Sequence, residues 1–105
     1  MDAVLAQEWA TETPDQAWVK LEAADEAVAA KLLFLVERRG VRQLHVDLGL
    51  LATVSGRTLG ALLLVHRCLR DRGGRLRLCH LDPFVYDLFR LTGLTQVFDL
   101  RGYRT

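Results

Sequence analysis

Between a buried strand and a leucine-rich run lies Thr53-Val54-Ser55-Gly56-Arg57-Thr58, which sets three hydroxyls, a glycine and a guanidinium within six residues. Hydroxyls at a helix start have two uses. The oxygen can accept one of the unpaired backbone N–H groups, which contributes about 1 kcal/mol. It can also carry a phosphate, which those N–H groups and the positive end of the helix dipole stabilise. Ser55 suits both uses. Thr58 reads as a solvent-exposed first-turn residue and a second acceptor candidate, and Arg57 is placed to pair with a phosphate on either.

Two other groupings invite chemistry and lose it on geometry. His45 and Asp47 share one face of a strand, and Ser55 follows, so the parts of a hydrolytic triad are present. No substrate cleft or oxyanion donors accompany them. His66-x-Cys68 and Cys79-His80 suggest zinc. However, i and i+2 on a helix point to different sides, and neighbours on a strand point to opposite faces. No metal, cofactor or enzymatic activity is expected, and His66 reads as an imidazole at the core edge.

The elements that must position these residues follow from periodicity and punctuation. Val4–Ala10 and Gln16–Leu21 are short segments containing Trp and Val, parted by Thr11-Glu12-Thr13-Pro14-Asp15, and read as a hairpin. Asp25 with Glu26 opens a helix as cap and dipole partner. Val28, Leu32, Leu35 and Val36 form its apolar stripe, and Arg38-Arg39-Gly40 closes it. Gln43–Leu48 is a strand. Residues 57–72 form a helix with Leu59, Leu62, Leu63, His66 and Leu69 on its stripe, ended by Gly73-Gly74. Arg75–Cys79 alternates with period two, as a strand does. Asp82-Pro83 starts a third helix with Phe84, Val85, Leu88 and Phe89 on its buried side, and Gln96–Leu100 is a last short strand. The order β-β-α-β-α-β-α-β implies an α/β fold, a mixed, mostly parallel sheet of four to five strands with right-handed crossovers.

A length of 105 residues suits one domain spanning 1–105. Half of the residues are hydrophobic, which excludes a disordered chain. Apolar runs such as Ala61–Val65 are far too short to cross a bilayer. The start, Met1-Asp2-Ala3-Val4, lacks a positive n-region, so a cytoplasmic location is expected. Residues 1–50 hold five Lys/Arg against nine Asp/Glu, and residues 51–105 hold nine against four, all nine being Arg. Their spacing suits solvated faces rather than one nucleic-acid-binding stripe, so no nucleic acid is expected. Cys68 and Cys79 both sit among apolar residues and read as small buried hydrophobes rather than a disulfide.

Over residues 44–100 the sequence resembles the STAS domain, the fold of bacterial anti-sigma factor antagonists. The resemblance rests on the strand end Val46-Asp47-Leu48, on the helix "LGALLLVHRCLRDRGGRLRL" and on the tail "LDPFVYDLFRLTGLTQVFDL" with its Leu91-Thr92-Gly93-Leu94 and Phe98. It implies a non-enzymatic protein-binding module. Its partner would be an anti-sigma factor with serine kinase activity, which phosphorylates the turn before the second helix and thereby ends the contact. It also implies a partner surface made of Asp25, Thr53, Ser55, Gly56, Arg57 and Thr58. The chain departs from the family at the acceptor: the family's Asp-Ser-Ser-Gly falls on Ser55-Gly56-Arg57-Thr58, so Gly56 stands at the phosphorylated position. Ser55, one residue earlier, serves if the turn has slipped. The alternative is an accessory subunit of a lipid-transport ABC complex or a signalling scaffold, without a phospho-switch.

Overall fold

The structure, a computed structural model, describes residues 10–21, 28–51 and 53–101. It is an α/β domain with a largely parallel sheet and three helices: β1 (Ala10–Glu12), β2 (Gln16–Lys20), α1 (Val28–Leu33), β3 (Gln43–Asp47), α2 (Gly56–Asp71), β4 (Arg75–Cys79), α3 (Pro83–Leu91) and β5 (Asp99–Arg101). A π-helical turn, Phe34–Arg38, extends α1, and a 3-10 turn, Leu94–Gln96, precedes β5. β1 and β2 pair antiparallel, and β2, β3, β4 and β5 pair in parallel, in the spatial order β1-β2-β3-β4-β5. Among the described residues no helix is long and apolar enough to cross a membrane.

Strand order that follows chain order has a strong consequence. Right-handed crossovers between successive parallel neighbours all lie on the same face of the sheet. The burial pattern agrees. Ala17, Val19, Leu44, Val46, Leu76 and Leu78 are buried and join one core with Val28, Leu32, Leu62, Leu69 and Phe89 of the helices. Their alternating neighbours Trp18, His45 and Arg77, matched in register across β2, β3 and β4, lie on the other face. There Trp18 stacks on His45 with ring centroids 5.1 Å apart and planes 7° from parallel. His45 Nε2 lies 2.9 Å from Gln16 Oε1.

Several expectations need correction. The hairpin is real, but its first strand, Ala10–Glu12, keeps the last residue of the expected strand and takes in the first two of the segment read as the turn; the tight end is Thr13–Asp15, where Thr13 N–H donates to Gln16 O at 2.8 Å. Residues 4–9 of the expected first strand, and Asp25 with Glu26, lie outside the described residues. On α2 the buried stripe is Thr58, Ala61, Leu62, Val65 and Leu69. Leu59 and Leu63 are only partly buried against the core. The stripe is centred one position away from the leucine count because Ala61 and Val65 share the face of Leu62 and Leu69 at 100° per residue. On α3, Val85 and Phe89 are buried at i and i+4, while Phe84 is 67% exposed. The stretch read as the last strand begins as a 3-10 turn, and β5 starts only at Asp99. Cys68 and Cys79 are free thiols, both part-buried.

His66 sits at the core edge, edge-on to Phe98 at 5.6 Å, and Phe98 also meets Phe89. Burial, helped by the Arg70 charge, lowers the His66 pKa below its ordinary value. The unfolded chain therefore takes up this proton at a higher pH than the folded one. The corresponding stability is fully present above about pH 6.5 and is lost as pH falls through the folded pKa. The thermal-midpoint difference between wild type and His66→Gln is expected to shrink between about pH 7.5 and pH 5. Parallel midpoint curves would refute this assignment.

Candidate functional site

The corner before α2 is built by a cap. Ser55 is extended (φ −77, ψ 164), and its Oγ accepts the Thr58 N–H at 3.1 Å. The same hydroxyl donates to Thr58 Oγ1 at 3.2 Å, and Ser55 O accepts the Leu59 N–H at 2.9 Å. Val54, immediately before the cap, is buried, and Leu59 packs against the core. These are the N′ and N4 positions whose apolar side chains fix the entry angle of a helix. Local sequence thus settles the corner: apolar Val54 goes down, the cap hydroxyl turns toward the first turn, and sixteen helical residues follow.

Thr53, Ser55, Gly56 and Arg57 are exposed, while Val54 between the first two is buried. Thr58 is not the open first-turn residue it was expected to be: it is 2% exposed. Because it supplies the N3 amide to the cap, its side chain is held on the core side. Ser55 and, two residues before it, Thr53 are therefore the hydroxyls that a solute or protein can reach, and of the two Ser55 sits at the helix N-cap. Gly56 is open as well, since a Cβ added there meets nothing within 4 Å. Asp25, assigned by resemblance to the same surface, lies outside the described residues.

The chemistry available at this corner is anion stabilisation. A phosphate on Ser55 Oγ would lie at the N-terminus of α2, where the amides of the first turn and the positive dipole end point outward. His45 and Asp47 do not assemble with Ser55 into a triad. His45 is engaged by Trp18 and Gln16. Asp47 Oδ1 accepts the Gly49 N–H at 2.7 Å, and its Oδ2 lies 3.4 Å from His80 Nδ1.

One neighbouring feature was not legible from spacing. At the C-terminal ends of β2, β3 and β4 a shallow depression of about 530 Å³ is lined by Lys20, Asp47, Leu50, His80, Asp82 and Pro83, among others. His80 holds a left-handed backbone (φ 58), unusual for a side chain of its size. Asp82 caps α3 through the Phe84 N–H at 2.9 Å. Leu50 and Phe84 expose apolar surface beside it. The only sequence signal for this rim was the Asp82-Pro83 helix start.

Comparison with known proteins places this geometry. Residues 20–102 match a family model described as Mlab, STAS domain. The chain is 35% identical over 79 residues to BtrV of Bordetella bronchiseptica, a candidate anti-sigma factor antagonist, covering 75% of this chain and 67% of that protein. Among solved structures it resembles a candidate anti-sigma factor antagonist from Thermotoga maritima, with a TM-score of 0.73 at 17% identity over 91% of this chain and 85% of the other. It also resembles the Bacillus cell fate determinant SpoIIAA in its phosphorylated form, with a TM-score of 0.67 at 19% identity over 89% and 86% of the two chains. At these identities the two structural likenesses bear on the fold.

Proposed function

This chain belongs to the STAS domain family and is of the anti-sigma factor antagonist type, and we propose that it binds an anti-sigma factor with serine kinase activity through the corner before α2. Thr53, Ser55, Gly56 and Arg57 form the contact with Thr58 supporting Ser55 from below, and Asp25 is assigned to it from the sequence resemblance alone. The module works in the cytoplasm and catalyses nothing itself. Ser55 is the acceptor that its partner phosphorylates. The observation that carries this reading is the exposed Ser55 at the N-cap of a long helix, with its hydroxyl held at the first turn by two hydrogen bonds to Thr58.

The switch follows from charge. Phosphorylation replaces a neutral donor by a group of roughly −1.5 to −2 charge. The helix terminus stabilises it, so the fold survives, while a complementary surface fitted to a neutral hydroxyl loses its match. A second reading, a binder without a switch such as a transport-complex subunit, is favoured by one observation: Gly56, at the family's acceptor position, has no hydroxyl.

The two readings separate in one experiment. The chain is co-expressed with the serine kinases of its host and its phosphopeptides are read by mass spectrometry, with Gly56→Ser as the positive control, since that position is open to a side chain. Phosphate on Ser55 in the wild type establishes the switch. Phosphate found only on the residue introduced at position 56 leaves a constitutive binder and overturns the Ser55 assignment.

A further inference from the structure

The outer side of α3 carries apolar residues that the core does not use. Val85 and Phe89 are the buried residues of this nine-residue helix. At 100° per residue, Phe84, Leu88 and Leu91 fall within roughly 60° of one another, centred about a third of a turn from the Val85–Phe89 line. Phe84 and Leu91 are 67% and 74% exposed, and Leu88 is half-buried. Asp87 and Arg90 border this stripe on the side away from the core, both exposed, with Arg90 Nε 3.6 Å from Asp87 Oδ1. Single exposed apolar residues are ordinary on a protein surface. Three of them at i, i+4 and i+7 on one short helix have the spacing with which helices pack against helices. The corner before α2 does not account for the stripe: Phe84 lies at the same end of the sheet, but Leu91 is about 10.5 Å further along the helix.

We propose that α3 is the surface through which two copies of this chain pair, antiparallel and reversibly. The occupant follows from the pattern of the face. A two-fold axis between residues 87 and 88 sets Phe84 against the partner subunit's Leu91 and, by symmetry, Leu91 against the partner subunit's Phe84. The two Leu88 side chains then lie side by side at the centre. The same axis brings Asp87 level, to within about 3 Å along the helix, with the partner subunit's Arg90. The flanking charges are thus as self-complementary as the apolar stripe, which is what a two-fold contact between copies needs. A membrane surface fits less well. The exposed charges of α3 and its cap are Asp82, Asp87 and Arg90, without the basic excess that attracts anionic lipid. The size of the face sets the strength. A helix this short does not cover the roughly 800 Å² per partner of a standard interface, so the dissociation constant is expected to be on the order of 0.1 mM, that of a transient pair.

The test is sedimentation equilibrium of the full chain between about 20 μM and about 1 mM, a range that brackets this constant. Wild type is expected to follow a monomer–dimer equilibrium. Leu91→Asp is expected to weaken pairing at least about tenfold, and the control Leu64→Asp, an exposed leucine of α2, less than about twofold. Asp87→Arg makes both flanking charges positive, and Arg90→Asp makes both negative. Each variant alone is expected to pair about threefold more weakly than wild type, whereas their equimolar mixture pairs at least as tightly, because opposite flanks then face each other. Circular dichroism confirms that every variant is folded. Wild type that stays monomeric at about 1 mM overturns the proposal. Equal weakening by Leu91→Asp and Leu64→Asp overturns it too, as does a mixture that pairs no better than its components. A monomer that sediments with phosphatidylcholine vesicles, and no longer does so as Leu91→Asp, overturns it in favour of a lipid surface.

Discussion

Replacing Gly74 by alanine is expected to destabilise the domain by about 3 kcal/mol, at the upper end of what overpacking costs. A Cβ at this position would stand 2.3 Å from Arg42 O, 3.1 Å from Arg42 C and 3.0 Å from Leu69 Cδ2. The first two of these are main-chain atoms and cannot swing away. Arg42 O is also the acceptor for the Arg75 N–H, so moving it breaks a bond at the start of the β3–β4 pairing. Thermal denaturation should show the midpoint falling by roughly 10 °C or more for a domain of this size. Gly73→Ala should cost less. It suffers the left-handed backbone (φ 76), worth roughly 1–2 kcal/mol, but its nearest contact is an ordinary 3.9 Å. If the two substitutions prove equally mild, the close approach of the two strand starts is not what holds that end of the sheet together.

Arg57→Glu is expected to weaken binding of the proposed anti-sigma factor partner at least about a hundredfold, the scale on which reversing a charge at the centre of a contact acts. The fold should not suffer. Arg57 is exposed in the first turn of α2, where an acidic side chain interacts favourably with the dipole by about 0.3–1 kcal/mol. A thermal midpoint unchanged within a few degrees, together with lost binding in surface plasmon resonance, would tie the effect to the contact itself. Unchanged affinity would remove the corner from the interface.

Legibility from sequence varied along the chain for physical reasons. β4 could be read residue for residue because Arg75-Leu76-Arg77-Leu78-Cys79 alternates and Gly73-Gly74 precedes it. The Ser55 cap was equally plain, since small hydroxyls before an apolar period have few other uses. Thr58 was misplaced because the hydrogen bonds of the cap, not the helix period alone, decide where it goes. Phe84 and Val85 both read as core by their hydrophobicity, but the first turn of α3 buries Val85 and turns Phe84 outward. The role of Gly74 was hidden behind its neighbour: both glycines read as a helix stop, and only the packing shows that one serves backbone curvature and the other an interstrand approach. The depression at the N-terminal ends of the strands draws on residue 15, residues 40–43 and residues 73–77, and no local pattern links segments so far apart.

The length of the central strands also sets how the two ends of the molecule can communicate. Five residues of strand span roughly 17 Å, about twice the Debye length of ~8 Å in physiological salt. The charge of a phosphoryl group arriving at the corner before α2 is therefore largely screened at the opposite ends of the strands. A modification at the corner thus acts on whatever docks there and leaves the far edge of the molecule as it was, unless the sheet itself changes shape.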